Sequence, residues 1–410
     1  MSGYGKAVCK MTVCQTTVCQ TTVCQTKQPR RRPVTSVVSA VRTALFVLLA
    51  LLVPCMLLAP GGAEAEVATP APIAGSVVSG SQGVKAGGKT FQVNYVRVDL
   101  GDPKVRLRVV LGQDRVGGTE DLLSMAARVG GQAAINGTFF NAYVDGPLKD
   151  PVGTLISGGE FVHRGATGTV FAVAAGNEVR MEPARFKIVG ATDGLWTWPG
   201  NWYSYWINRT PTSTNYAGIL TPARGSRTGA AGGVSVVVRD GVVAAIGRGD
   251  REIPEDGYVI NFQGSEEGLA ARFAVGVAVD YKVVMSDGSD RTGFWGRVSE
   301  ALGAGPKLVS GGKVTYSTES ARAEGFTEAK ILSMSSARSG LAVTKDGDLL
   351  MVTCTAATMA QFAQIMQALG AAEAMNLDGG ASSGLAYAGK YLTKPGRALS
   401  NALVVLADER

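Results

Sequence analysis

Histidine is almost missing from this 410-residue chain, where His163 stands alone. That count argues against a zinc site built on imidazole ligands. Cysteine is scarce where it would matter. Of six cysteines, Cys9, Cys14, Cys19, Cys24 and Cys55 lie in the first 65 residues, leaving only Cys354 beyond them. A lone thiol has no internal disulfide partner, and its place in the apolar run "LLMVTCT" predicts a buried side chain. Excess charge is missing too. Seven of the 40 basic residues and one of the 33 acidic residues precede Glu66, so the remainder carries 33 against 32, a net +1. The formal +7 is a property of the leader, and the rest shows no electrostatic footprint for nucleic acid.

The leader has recognisable parts. A basic segment, "RRRPVTSVVSAVR", precedes the apolar run "TALFVLLALLVPCMLLAP", and "AEA" at Ala63–Ala65 offers small residues for cleavage. This pattern reads as a secretory signal peptide, with an uncleaved membrane anchor as the alternative. The expected location is secreted, periplasmic or at the cell envelope, with membrane contact only if the leader is retained. "TVCQT" occurs three times, at Thr12, Thr17 and Thr22. It reads as a short tandem repeat, because its C-x4-C spacing without histidine lacks the usual metal-ligand pattern. Residues 1–65 are thus leader. Residues 66–90, rich in Ala, Pro, Gly, Ser and Val, predict a flexible linker, and residues 91–410 a folded domain.

Glycine is abundant, at 54 residues, beside 46% apolar and 18% charged residues, the composition of a strand-rich globular protein with tight turns. "VRLRVVL" alternates as a half-buried strand should. "VSVVVRDGVVAAIG" and "LAVTKDGDLLMVT" read as hairpins through Asp-Gly, while "TLISGGEFV" and "KLVSGGKVTY" use Gly-Gly. Two helices are expected. One is "EDLLSMAARV", capped by Thr119 and closed by Gly130-Gly131. The other is "TMAQFAQIMQALG", with Met359, Phe362, Met366 and Leu369 as its core stripe and Gly370 at its end. The fold class that follows is α+β: a single domain dominated by mixed β-sheet, with many hairpins and a few packed helices.

Both helices lead into a short apolar strand with the same ending. "QAAINGTFF" stops at Asn136-Gly137, and "AEAMNLDGGASSGL" stops at Asn376, Asp378 and two glycines. Strands that end this way can set polar side chains side by side at one edge of a sheet.

Six segments occur in an order that resembles the phosphodiester glycosidase family: "AINGTFFNAYVDGPLKDPVGTLISGGEFV", "IPEDGYVI", "GAGPKLVSGGKV", "RSGLAVTKDGDLLMV", "NLDGGASSGL" and "RALSNALVV". The likeness runs roughly from Phe91 to Leu406. The chain departs from the family pattern in three places. Ala381 stands where a third glycine is usual, Arg338 is followed by Ser339-Gly340, and "TCTAATM" replaces an acidic strand end.

The resemblance implies an enzyme that hydrolyses a sugar-1-phosphodiester, N-acetylglucosamine-1-phosphodiester-like, at the anomeric carbon. Phosphate is a good leaving group, so the two-carboxylate requirement of ordinary glycosidases is relaxed. One carboxylate and a cation for phosphate suffice, and arginine donates two parallel hydrogen bonds to phosphate oxygens. Asp378 is then the candidate nucleophile or base. Arg338 and Arg397 are candidate phosphate ligands, and Asn136 is a candidate member of the catalytic group. Gly379 and Gly380 would let the backbone approach a ligand, and Ser382 and Ser383 would add hydroxyl donors. Asn376, Asn401 and Thr138 are candidates for sugar contacts, and His163 is a further binding candidate. No metal and no cofactor is implied. The partners expected are a glycan or sugar-phosphate substrate and no nucleic acid.

"GLWTWPGNWYSYWINRT" holds four of the five tryptophans, including Trp202. Interrupted by Pro, Gly, Asn and Ser, it is expected to be partly exposed and to stack on sugar as one wall of the cleft. A second function class stays open, a carbohydrate- or cell-wall-binding or exopolysaccharide-associated protein on the same fold. Turnover distinguishes the two, because function lives in the site and not in the fold.

Overall fold

Along the strand Leu349–Ala357, successive side chains enter different cores. Leu349 and Met351 pack on one side, and Leu350, Val352 and Cys354 on the other. A strand apolar on both faces must be covered twice. The protein is described by a computed structural model covering residues 75–407, except 147, 166–167, 212–213 and 288–292. The leader and the first part of the expected linker lie outside the described residues.

That strand sits within an antiparallel seven-stranded sheet. The order is Val77–Ala86, Lys89–Val98, Leu349–Ala357, Ser336–Thr344, Ala371–Asn376, Lys307–Ser310 and Lys313–Val314. An antiparallel five-stranded sheet has the order Lys390–Thr393, Leu385–Tyr387, Ala133–Asn136, Asn401–Ala407 and Val105–Leu111. One core joins their facing sides, with Val96, Leu341, Met351 and Leu377 meeting Leu107, Ile135, Leu403 and Val405. The outer face of the first sheet is covered by the helix Met359–Ala368, and the outer face of the second by the helix Leu122–Arg128. The layers are therefore helix, sheet, sheet, helix. Residues 186–285 contribute further, mostly antiparallel strands around a second core, shared with Ile156, Phe161 and Val170, that holds Trp202, Ile260, Phe262 and Phe273.

The expected hairpins and both helices are present, and the helical stripe Met359, Phe362, Met366 and Leu369 is buried. Four expectations need correction. The sheets are less mixed than expected. Among the described strands the parallel pairing is that of Trp206–Ile207 with Tyr216–Leu220, because short turns join antiparallel neighbours and parallel ones need a crossover. The first helix is capped by Asp121, whose carboxylate accepts from Leu123 N and Ser124 N, and not by Thr119. Glu120 pairs with Leu399 through both backbone groups, which keeps the chain extended past Thr119. Two short helices, Thr318–Ala323 and Ala329–Leu332, were not anticipated.

The fourth correction concerns the linker. Val77–Ala86 is a ten-residue strand paired along its whole length with Lys89–Val98. Its small residues serve packing. A Cβ on Gly80 would stand 2.4 Å from the Tyr95 ring, so glycine here makes room for an aromatic side chain. Val77, Val84 and Ala86 are buried. Removing residues 77–88 is expected to cost about 3 kcal/mol or more of stability in a denaturant titration, from the lost valine burial alone. A linker would cost nothing.

Glu300, on the strand Val298–Ala304 of a further five-stranded sheet that also holds Leu155–Ser157 and Thr169–Ala174, ties that sheet to the strand Val105–Leu111. Its carboxylate accepts from Val109 N at 2.8 Å and from Gly158 N at 2.9 Å. Burial pushes this carboxyl up to about 7, against the two backbone hydrogen bonds that favour the charged form. The folded state therefore holds a proton that the unfolded chain releases near its ordinary value of 4.5. The contribution to stability is full below that value and is lost as pH rises through about 7. Thermal melts of Glu300→Gln are expected to show a flatter pH dependence across this window than the parent chain.

Candidate active site

Asn136 ends a strand of the five-stranded sheet and Asn376 ends a strand of the seven-stranded one. The two strand ends do meet, across the junction of the two sheets and not along one edge. Asn136 Nδ2 donates to Asp378 O at 2.8 Å, and Asp378 N donates to Gly137 O at 3.1 Å. Asn136 Oδ1 also accepts from Gly384 N at 3.0 Å. The residue between them, Leu377, is fully buried in the core joining the sheets, and its N–H donates to Ser339 O at 2.8 Å. Asp378 thus follows a residue fixed in the core and is itself pinned by a side chain from the opposite sheet.

The Asp378 carboxylate accepts from Gly379 N at 2.9 Å and from the Ser382 hydroxyl. Glycine is required at position 379, where a Cβ would approach Ala337 O to 2.8 Å. Burial pushes the Asp378 carboxyl up to about 6, opposed by the Ser382 and Gly379 hydrogen bonds and by the charges of Arg397 and Lys330. These cations converge from different parts of the chain. The Arg397 guanidinium lies 4.6 Å from the Tyr143 ring centre and donates to its hydroxyl. Lys330 Nζ lies 5.8 Å from the same ring. The Tyr143 phenol is held below its usual range, first by the Arg397 hydrogen bond and then by the positive charges of Arg397 and Lys330. One half-buried carboxylate, two cations and an exposed phenol therefore share one surface.

Lys330 and Tyr143 had escaped notice in the sequence. Tyr143 lies within one of the quoted segments, "NAYVDG", but nothing in "EAKIL" distinguishes Lys330 from any surface lysine.

Most of the other expected site residues are buried and engaged with backbone. Arg338 is the main correction. Its Nε donates to Ala357 O at 2.9 Å, and its Nη2 donates to Lys330 O at 3.0 Å and Met334 O at 2.6 Å. Its fork holds carbonyls where a phosphate was expected, and it fixes the segment that carries Lys330. Asn376 donates to Gly305 O at 2.9 Å and Leu377 O at 2.6 Å. Asn401 accepts from Thr138 N at 2.9 Å, and the Thr138 hydroxyl bridges Gly303 O and Gly153 N. Ser382 and Ser383 are buried behind the carboxylate, with Ser383 Oγ unpartnered. Gly380, at φ +61°, turns the chain beside Ser336. These groups are engaged mainly with the chain's own backbone, while Asn376 Oδ1 and Ser383 Oγ have no partner among the described residues.

Two candidates belong elsewhere. His163 is buried, with Nδ1 2.8 Å from Gly153 O, beside Asp150, Arg209 and Arg224. Burial pushes it down to about 4, so the ring is neutral. Trp202 is 2% exposed and packs edge-on against Phe273, which rules it out as a sugar platform. Two surface cavities run along the strand Val105–Leu111 and are lined by none of the groups around Asp378. Among the described residues, no three of His, Cys, Asp and Glu are grouped to hold a metal ion.

Comparison with known proteins gives this geometry a context. Residues 232–406 match the phosphodiester glycosidase family. The resemblance read from the motifs stands over that range, which is narrower than Phe91–Leu406. The phosphodiester glycosidase match includes Lys330, Arg338, Asp378 and Arg397, and it leaves out Asn136 and Tyr143. No curated protein matches the chain by sequence. Among solved structures, the chain is similar to a hypothetical protein from Synechocystis, with TM-score 0.71 and 24% identity, over 81% of this chain and 62% of that one. It therefore spans less than two thirds of that protein's length. It is also similar to a putative exported protein from Burkholderia pseudomallei K96243, with TM-score 0.64 and 23% identity, over 77% and 74% of the two chains. Likeness at these identities is one of fold. The catalytic domain of zebrafish N-acetylglucosamine-1-phosphodiester alpha-N-acetylglucosaminidase, auto-inhibited by its pro-peptide, aligns at TM-score 0.45 and 14% identity over 84% and 87% of the chains. That is too distant to carry an argument.

Two measurements check the site. Asn136→Ala leaves Gly384 N without its acceptor and is expected to cost about 1–3 kcal/mol in denaturant unfolding. Removing a neighbouring cation, by Lys330→Ala or Arg397→Ala, is expected to leave the fold intact and raise the Asp378 carboxyl above about 6. A carbon-detected NMR titration reads that shift.

Proposed function

We propose that this protein hydrolyses a sugar-1-phosphodiester at the anomeric carbon, releasing the sugar and a phosphomonoester. The observation that carries the reading is the half-buried Asp378 carboxylate beside Arg397 and Lys330, which meet over the exposed Tyr143 ring at 4.6 Å and 5.8 Å. When the bond between the anomeric carbon and the phosphate oxygen breaks, the phosphate keeps the electron pair. Its charge then rises from one negative to two. Cations placed beforehand bind that dianion more strongly than the diester, which lowers the barrier. Arg397 and Lys330 have this role, and the Tyr143 hydroxyl, already hydrogen-bonded to Arg397, lies at the same place. Asp378, ionised, attacks the anomeric carbon or deprotonates the water that does. The match of residues 232–406 to the phosphodiester glycosidase family supports the reaction class.

The leader pattern supports reaction outside the cytoplasm, on a glycan or sugar-phosphate of the cell envelope. Sequencing the amino terminus of protein collected outside the cytoplasm tests this, and an intact leader there would count against cleavage.

Activity is tested by incubating the full chain with an α-N-acetylglucosamine-1-phosphodiester and other sugar-1-phosphodiesters while following sugar release. Asp378→Asn is expected to lower release by about 10²–10⁴-fold. Lys330→Ala and Arg397→Ala should each lower kcat/KM by about tenfold to a hundredfold, as charge-assisted hydrogen bonds are lost. Because Asp378 acts ionised, kcat/KM should climb as pH rises through about 6 and then level off. A fall across the same range would make Asp378 an acid and overturn its assignment. Release unaffected by Asp378→Asn would remove it from the mechanism.

A further inference from the structure

The tryptophan-rich segment does contain exposed rings, though Trp202 is not among them. Trp198 is 77% exposed, and Tyr203 and Tyr205 are each 39% exposed. The two tyrosine rings lie 5.3 Å apart between centres. Both phenols donate to one carboxylate, Tyr203 to Glu266 Oε2 at 2.6 Å and Tyr205 to Glu266 Oε1 at 3.3 Å. Ser265 donates to the same Oε1 at 2.9 Å. Glu266 is 8% exposed, so this is a nearly buried carboxylate solvated by three hydroxyls. It lies in the first turn of the 3-10 helix Gly264–Arg272. At the far end of that helix, Arg272 donates to Asn201 at 3.1 Å and lies 5.3 Å from the Trp198 ring centre. Six residues at a rise of ~2.0 Å separate Glu266 from Arg272 by ~12 Å. The row therefore has a tyrosine pair at one end and a tryptophan at the other.

We infer that this row, Tyr205, Tyr203 and Trp198 along the helix Gly264–Arg272, is a binding surface for a pyranose glycan, separate from the Asp378 site. Pyranose rings present flat C–H faces with hydroxyl rims. The tyrosine and tryptophan rings supply the flat apolar partners, Asn201 and Arg272 supply polar groups beside them, and Glu266 holds the tyrosines in place. The tyrosine rings are fixed by hydrogen bonds before any ligand arrives, which reduces the ordering cost of binding. A protein partner fits less well. Glutamate is depleted at the centres of protein interfaces, whereas the tyrosine pair here stands on Glu266. None of the residues around Asp378 belongs to the row. The surface would hold a polymeric glycan whether or not the hydrolytic reading is correct.

Affinity gel electrophoresis of the full chain tests the inference, with soluble chitin oligomers, hydroxyethyl cellulose, laminarin and dextran in the gel. The expected result is retardation by at least one of the four, weakened fivefold or more by Trp198→Ala and by Tyr205→Ala. Asp378→Asn should be retarded like the parent. Both aromatic variants change exposed side chains, and thermal melting confirms that each is folded. Retardation that survives both aromatic variants, or that vanishes in Asp378→Asn, overturns the inference, as does no retardation by any of the four. Self-association of the parent chain on size exclusion, abolished by Trp198→Ala, would assign the row to a protein contact and also overturn it.

Discussion

Asn136 contributes one amide to two backbone groups that are distant in the chain, Asp378 O and Gly384 N. Without that amide, the segment after Asn376 would keep only Asp378 N to Gly137 O as its bond to the opposite strand, beside Leu377 in the core and its bond to Ser339. With it, the loop is held between two sheets, and the carboxylate that leaves it has one place to go. Such an arrangement needs a buried polar group fully satisfied by geometry, since an unpaired amide in the core costs more than the bond itself contributes. The site's position is therefore a property of sheet packing, and its charges are added around a fixed point.

Those charges come from elements of different kinds. Asp378 stands at the junction of the sheets. Arg397 comes from the loop before the strand Asn401–Ala407, and Lys330 from a four-residue helix. Arg338, itself buried, holds that small helix through the carbonyls of Lys330 and Met334. An arginine in a family motif can thus act on an anion at second hand, by placing another residue's charge. The consequence is that charge near Asp378 can be altered at Lys330 with little effect on the core.

Much of the fold was legible because its local signals agree with its packing. Asp-Gly and Gly-Gly turns marked hairpins that do form, and the stripe from Met359 to Leu369 is buried as its period requires. Where reading failed, a non-local contact had decided the matter. Glu120 pairs with Leu399 and moves the helix cap to Asp121. Gly80 looked like linker composition because Tyr95, which it accommodates, lies on the next strand. The site was legible only in part, for a related reason. Asp378 and Arg397 could be found from motifs, but residue type does not tell a polar group that faces ligand from one that faces backbone. Asn376, Asn401, Thr138 and Arg338 bind carbonyls or N–H groups of the chain itself. Lys330 carries no sequence signal, and only the turn of its short helix brings it near Tyr143.

The strand Asn401–Ala407 lies in the interior of its sheet, between Ala133–Asn136 and Val105–Leu111. It is the closing piece of a layer begun some 300 residues earlier in the chain. Until it is in place, the strand bearing Asn136 is paired on one side only, by Leu385–Tyr387, and Thr138 N lacks the Asn401 acceptor. Contacts of such long sequence separation form late and slowly. The clamp on the carboxylate is consequently backed by a sheet on both sides only once this strand has docked. Whatever this site does rests on a strand that comes late in the chain and completes the sheet behind it.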